Sequence, residues 1–133
     1  MGNHYYMPLK FLLLSLFIIS CNNIVKENRK LNIYYESDTQ IGGFQFDIEG
    51  VDVIDISDGA AGTASFTLST ANNKVLGFSI SGTTILPGDG ILIILDVKGS
   101  GNACILDNGL IISDPNGIEL SSVVLDCNTI HIP

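Results

Sequence analysis

The residues that could do chemistry are few, and they can be taken one group at a time. Asp47 and Glu49 stand two apart in IGGFQFDIEGVDV, residues 41–53, and so share one side of an extended segment. Paired carboxylates of this kind suggest a glycosidase. That chemistry requires a cleft between the two groups and one member desolvated to raise its pKa. Neighbouring positions on a solvated strand face supply neither. Asp52, Asp55 and Asp58 are spaced by three and alternate across a strand, whereas a calcium ion wants several converging oxygens. No metal site is expected.

Nucleophilic catalysis has little material. The two histidines are His4, near the start, and His131, two residues from the end. Neither Ser81-Gly82 nor Ser100-Gly101 lies in a G-x-S-x-G elbow. Gly99-Ser100-Gly101-Asn102 follows a strand pattern but opens no helix and lacks the Lys-Ser/Thr ending of a phosphate loop, so it reads as a turn. Nothing here is an enzyme signature, and no cofactor is implied.

Cysteines carry the clearest chemical signal. Lys10 precedes an apolar run, Phe11 to Ile19, that ends in Ser20-Cys21. The run is too short for a bilayer span, which needs roughly 20 residues, but it suits a secretory signal. Ile18-Ile19-Ser20-Cys21 is similar to the bacterial lipobox, where cleavage precedes a lipidated cysteine. Residues 1–20 are therefore expected to be a lipoprotein signal, with Cys21 as the lipid anchor and 21–30 as a polar tether. Export places the chain in the cell envelope or at the cell surface, with secretion as the alternative, and gives it contact with membrane only through the anchor. Cys104 and Cys127 then remain as an even pair, which in an exported chain reads as a disulfide.

Charge narrows the partners. The 133 residues carry a formal −8, and from Leu31 onward Lys74 and Lys98 stand against 13 acids. Nucleic acid, whose phosphates require Lys and Arg, is disfavoured, as is electrostatic docking on anionic lipid.

The elements that must hold these residues read as strands in one domain, 31–133. Phe44, Phe46 and Ile48 alternate with Gln45, Asp47 and Glu49, the period of a half-buried strand. Further strands are expected at Asn32 to Tyr35, Val51 to Ile56, Ala64 to Ser69, Lys74 to Ser81, Gly90 to Lys98 and Ala103 to Leu106, with two or three more within Leu110 to Ile132. At Gly50 the apolar phase slips by one residue, so the chain must bulge or turn there. Ala71-Asn72-Asn73 reads as a hairpin and Asp114-Pro115-Asn116-Gly117 as a type I turn. The run ILIIL, residues 91–95, is apolar on both faces and belongs inside a sheet. Phe44, Phe46, Phe66 and Phe78 all sit in phase with apolar neighbours and are expected in the core. Tyr34 and Tyr35 are adjacent, so at most one faces outward.

The stretch IGGFQFDIEGVDVIDIS resembles the opening of the cohesin family and its carbohydrate-binding-module relatives. LGFSISGTTILPGDGILIILDVKG, residues 76–99, resembles that family's later strand pair. The resemblance runs from about Thr39 to Ile132. It implies an all-β, jelly-roll β-sandwich of about nine strands, with a dockerin-like protein or a polysaccharide bound through one face. A chain without Trp lacks the usual platform for crystalline polysaccharide, which leaves a protein or a soluble glycan. The outer side of the opening strand, with Gln45, Asp47 and Glu49, is the expected partner-binding face. The function expected is a non-catalytic binding module; the alternative is a structural or assembly subunit of an envelope complex.

Overall fold

A computed structural model describes residues 28–133. The expected signal segment, Cys21 and most of the tether lie outside the described residues. Asn28, Arg29 and Lys30, expected in the tether, open the first strand instead.

Two antiparallel-rich sheets pack face to face. Strand β1 (Asn28–Ser37) pairs along its length with β6 (Gly88–Lys98), which pairs in turn with β3 (Asp52–Ser57). On its other side β1 runs parallel to β11 (Thr129–Ile132), and β10 (Val123–Leu125) closes that edge. The second sheet centres on β2 (Gly43–Glu49), flanked by β5 (Lys74–Phe78) and β8 (Ile111–Ser113). Strand β4 (Thr67–Ala71) extends it beyond β5, β9 (Glu119–Leu120) extends it beyond β8, and β7 (Cys104–Ile105) joins the far end of β2. Among the described residues there are 11 strands; the two-residue β7 and β9 are the surplus over the nine expected. Among the described residues the one helix, α1 (Gly59–Thr63), is short and lies between the strands expected at Val51 to Ile56 and Ala64 to Ser69.

The core lies between the sheets, each strand contributing its inward residues. Phe44, Phe46 and Ile48 of β2 face Ile33, Leu95 and Val97 of the opposite sheet within one buried cluster. Each such side chain contributes about 1.5–3 kcal/mol through burial. Phe44 stacks on Phe46 and on Phe66, with ring centroids 6.0 and 6.2 Å apart. The double-sided run of β6 has a local cause. Ile33 pairs with Ile93 but Tyr34 pairs with Ile91, so Leu92 is an extra residue in the ladder. That bulge breaks the alternation, and both Leu92 and Ile93 are buried.

The phase slip at Gly50 marks the corner where the chain leaves the second sheet for the first. Gly50 has φ +92°, and a Cβ there would run into the Asn102 carbonyl of the crossing loop. Asn73 pins this corner from outside. It lies with Asn72 in the two-residue β4–β5 turn, φ +63° and +53°, the left-handed pair a type I′ hairpin requires. Its Nδ2 donates to the Val51 and Ile48 carbonyls at 2.7 and 3.2 Å, and its Oδ1 accepts from the Val53 amide at 3.0 Å. Ile48 also donates its amide to the Asn73 carbonyl at 3.0 Å. A hairpin tip thus becomes the clamp that holds β2 and β3 at their crossing. The turn at Asp114 closes as expected, Gly117 donating to the Asp114 carbonyl at 3.0 Å and the Asp114 carboxylate accepting from Asn116 and Ile118.

Candidate functional site

The outer surface of the β4–β5–β2–β8–β9 sheet is a grid whose rows follow from the pairing register. One row runs Ser69, Leu76, Gln45, Ile111. The next runs Thr67, Phe78, Gly43, Ser113, Glu119. A third begins Ala71, Lys74, Asp47. Directly opposed residues in an antiparallel pair point the same way. The expected face residues therefore do lie together, with one qualification for each. Gln45 is half-buried between Leu76 and Ile111. Asp47 is engaged: Lys74 Nζ lies 3.0 Å from its Oδ1. Glu49 is exposed at the end of the strand, opposite Cys104, and forms no ion pair among the described residues.

Phe78 is a correction. Expected in the core, it is 38% exposed on this outer face. On β5 the inward positions are Val75 and Gly77, both buried, so Leu76 and Phe78 must point out. The apolar set 76, 78 and 80 is the stronger pattern, but the ring of Phe44 claims the inner side. It lies so close to Gly77 that a Cβ there would sit 2.6 and 2.8 Å from its Cε2 and Cε1. Leu76 and Phe78 on β5 and Ile111, 41% exposed on β8, are therefore apolar groups of one face, with Gly43 and Gln45 of β2 between the two strands. Neither Phe78 nor Ile111 was expected at a surface. The signal that could have found Phe78 is the glycine beside it.

Gln45 lies among these side chains, Thr67, Ser69, Ser113 and Glu119 stand around them, and the Asp47–Lys74 pair closes one side. Apolar side chains inside a polar margin are the anatomy of a protein interface. It offers one aromatic ring, too few for a row of stacked sugars. Tyr34, the outward member of the tyrosine pair, is on the other sheet, while Tyr35 is buried. Asp47 and Glu49 do not form a catalytic pair, since the first is neutralised by Lys74 and the second is solvated. Among the described residues no three His, Cys, Asp or Glu side chains converge as metal ligands. Asp55 uses its carboxylate to accept from the Ile56 amide at 2.8 Å. The Gly99–Asn102 segment is the turn its sequence suggests. Arg29 holds its carbonyls, donating from Nε to Gly99 at 3.2 Å and from Nη2 to Gly101 at 2.6 Å.

Comparison with solved structures finds cohesin domains. A chain of a cohesin–dockerin complex, CaDoc0917–CaCohA2 at pH 5.5, superposes with a TM-score of 0.57 at 19% identity, over 81% of this chain and 90% of that one. The non-cellulosomal cohesin of the hyperthermophilic archaeon Archaeoglobus fulgidus does so with a TM-score of 0.52 at 16% identity, over 81% of each chain. No protein-family model and no curated protein matches the sequence. The fold is a cohesin-like β-sandwich.

Proposed function

We propose that the chain is a non-catalytic protein-binding module whose docking face is the outer surface of β4–β5–β2–β8–β9, and that its partner is a dockerin-like protein. The observation that carries this reading is the group of outward-facing apolar side chains Leu76, Phe78 and Ile111 on either side of Gln45, set in a polar margin on an otherwise strongly acidic domain. Its support from comparison is the cohesin-like fold, one neighbour of which comes from a cohesin–dockerin complex. A glycan partner is less well served, because Phe78 stands alone as a stacking surface.

The module is further proposed to be exported and tethered at the cell envelope through a lipid on Cys21. Support comes from the apolar run ending in Ile18-Ile19-Ser20-Cys21 and from the Cys104–Cys127 disulfide, a bond that persists in oxidising compartments. Intact mass of the membrane fraction is expected to show acyl chains on an N-terminal Cys21; cleavage elsewhere would remove this part of the reading.

The docking face is tested by capture of dockerin-containing proteins on the immobilised full chain. Phe78→Ser and Ile111→Ser are each expected to weaken capture at least tenfold, the loss of a central apolar contact. Asp47→Lys with Glu49→Lys should abolish capture of a basic partner by replacing attraction with repulsion. That pair also breaks the Asp47–Lys74 contact, so the two serine variants, on exposed side chains, are the cleaner probes. Undiminished capture by both serine variants sinks the proposed face. Retention of polysaccharide on a glycan array, with no dockerin bound, would replace the partner. A fixed stoichiometric complex insensitive to all these substitutions would instead indicate an assembly subunit.

A further inference from the structure

At one end of the sandwich, away from the outer sheet face, lies a groove of about 410 Å³. Helix α1 forms one wall with Ala60 and Thr63, and Leu86 and Pro87 form the other. The walls are fixed. Ile41 and Ile85 exchange backbone hydrogen bonds of 2.9 Å, and the Thr83 hydroxyl donates to the Ala64 carbonyl at the end of α1. Leu86 nevertheless remains 66% exposed.

Tyr35 lines the groove from the core side. The residue is only 8% exposed, and its hydroxyl makes no hydrogen bond among the described residues, in contrast to that of Tyr34, which accepts from Asn32. The ring is buried but the hydroxyl is not sealed from solvent, so water can serve it in the groove and a ligand carbonyl can take that water's place. Burial first, and the nearby Asp89 carboxylate second, push its pKa up, so it stays neutral and able to donate.

Beside this groove, and sharing Gly88 and Asp89 with it, is a second depression of about 390 Å³ that also holds Glu36, Asp38 and His131. His131 Nδ1 lies 2.6 Å from Glu36 Oε1. Asp38 and Asp89 have no ion-pair partner among the described residues, and no Lys or Arg lines either depression. The site therefore couples an apolar slot and a free hydroxyl to an uncompensated negative margin.

We propose that this end groove is a second docking site, for a peptide segment of a protein partner in which an apolar side chain is followed by Lys or Arg. The apolar side chain lies between Leu86 and the Ala60–Thr63 wall, a backbone carbonyl accepts from Tyr35, and the cation reaches Asp89 and Asp38. Charge complementarity selects this occupant: a second copy of the same acidic chain would bring like charge to the margin. None of the groove residues belongs to the sheet face of the proposed dockerin-like docking, so either site can fail without the other.

The test is a ¹⁵N NMR titration of the full chain in zwitterionic detergent with three capped peptides. One is Gly-Leu-Lys-Lys-Gly; in the second Leu is replaced by Gly; in the third both Lys are replaced by Glu. The first peptide is expected to shift the amides of Thr63, Leu86, Gly88 and Asp89, and to bind at least fivefold more tightly than either of the others. Leu86→Ser and Asp89→Asn should each weaken it at least fivefold, Tyr35→Phe about threefold, and Phe78→Ser not at all. Absence of shifts, equal shifts from all three peptides, or shifts centred on Gln45, Phe78 and Ile111 would overturn the proposal. So would a peptide-free dimer in sedimentation that Leu86→Ser dissolves, which would make a second copy the occupant.

Discussion

Gly77→Ala is expected to lower the unfolding free energy by about 3 kcal/mol, at the upper end of what overpacking a tight core costs. The added methyl falls inside the Phe44 ring, and that ring cannot simply move, since it is buried and stacked between Phe46 and Phe66. Urea unfolding followed by circular dichroism measures the loss. Combining Gly77→Ala with Phe44→Leu should cost less than the sum of the two single changes, by 1 kcal/mol or more, because one change makes room for the other. Gly62→Ala is the control: its Cβ would meet nothing within 4 Å on α1, so it should be neutral or stabilising. A Gly77→Ala protein as stable as the parent would mean that Phe44 does not occupy the inner side of β5. The outward phase of Phe78, and with it the apolar group of the docking face, would then fall.

The same pair of residues explains where sequence reading succeeds and stops. Strand β2 is legible residue by residue, because apolar Phe44, Phe46 and Ile48 alternate with polar Gln45, Asp47 and Glu49 along its length. Strand β5 misleads because its inward side carries a glycine whose purpose is to leave space for a ring on another strand. Hydropathy has no sign for space. The bulge at Leu92 has a similar character: ILIIL announces burial on both sides, but only the pairing of Ile33 and Tyr34 with Ile93 and Ile91 shows which residue is the extra one. Helix α1 escapes notice because five residues, Gly59–Thr63, are too few to show a period, and Ala64 to Ser69 then reads as the start of a strand that begins at Thr67.

The site follows the same division. Gln45, Asp47 and Glu49 share a face because alternation guarantees it, whereas Ile111 joins them through register with β8, a long-range fact. Lys74 could have been placed opposite Asp47 by counting outward from the Asn72-Asn73 turn only if the pairing of β5 with β2 were known. Local pattern gives direction within a strand, and tertiary pairing gives neighbours.

Reduction of the Cys104–Cys127 bond is expected to cost about 3 kcal/mol in the chain-entropy account of a loop of this length, the two residues being 23 apart in sequence. For a domain of this size that lowers the melting temperature by roughly 12 °C or more. The bridge does more than close the loop between an even pair of cysteines. Cys104 belongs to β7, which hangs from β2 in the second sheet, and Cys127 sits in the turn between β10 and β11 at the edge of the first. It therefore ties the two sheets together, supported by the Ile105 amide donating to the Cys127 carbonyl at 2.8 Å. The enclosed segment contains β8, β9 and β10, none longer than three residues, and short strands with few ladder bonds open first. Hydrogen exchange should accordingly rise most in β8 to β10 on reduction or in a Cys104→Ala, Cys127→Ala variant, while the long β1–β6 pairing stays protected. Because β8 carries Ile111, partner capture should weaken in the same samples before the core unfolds. An unchanged melting temperature on full reduction, confirmed by thiol titration, would show that the bond adds nothing to the fold.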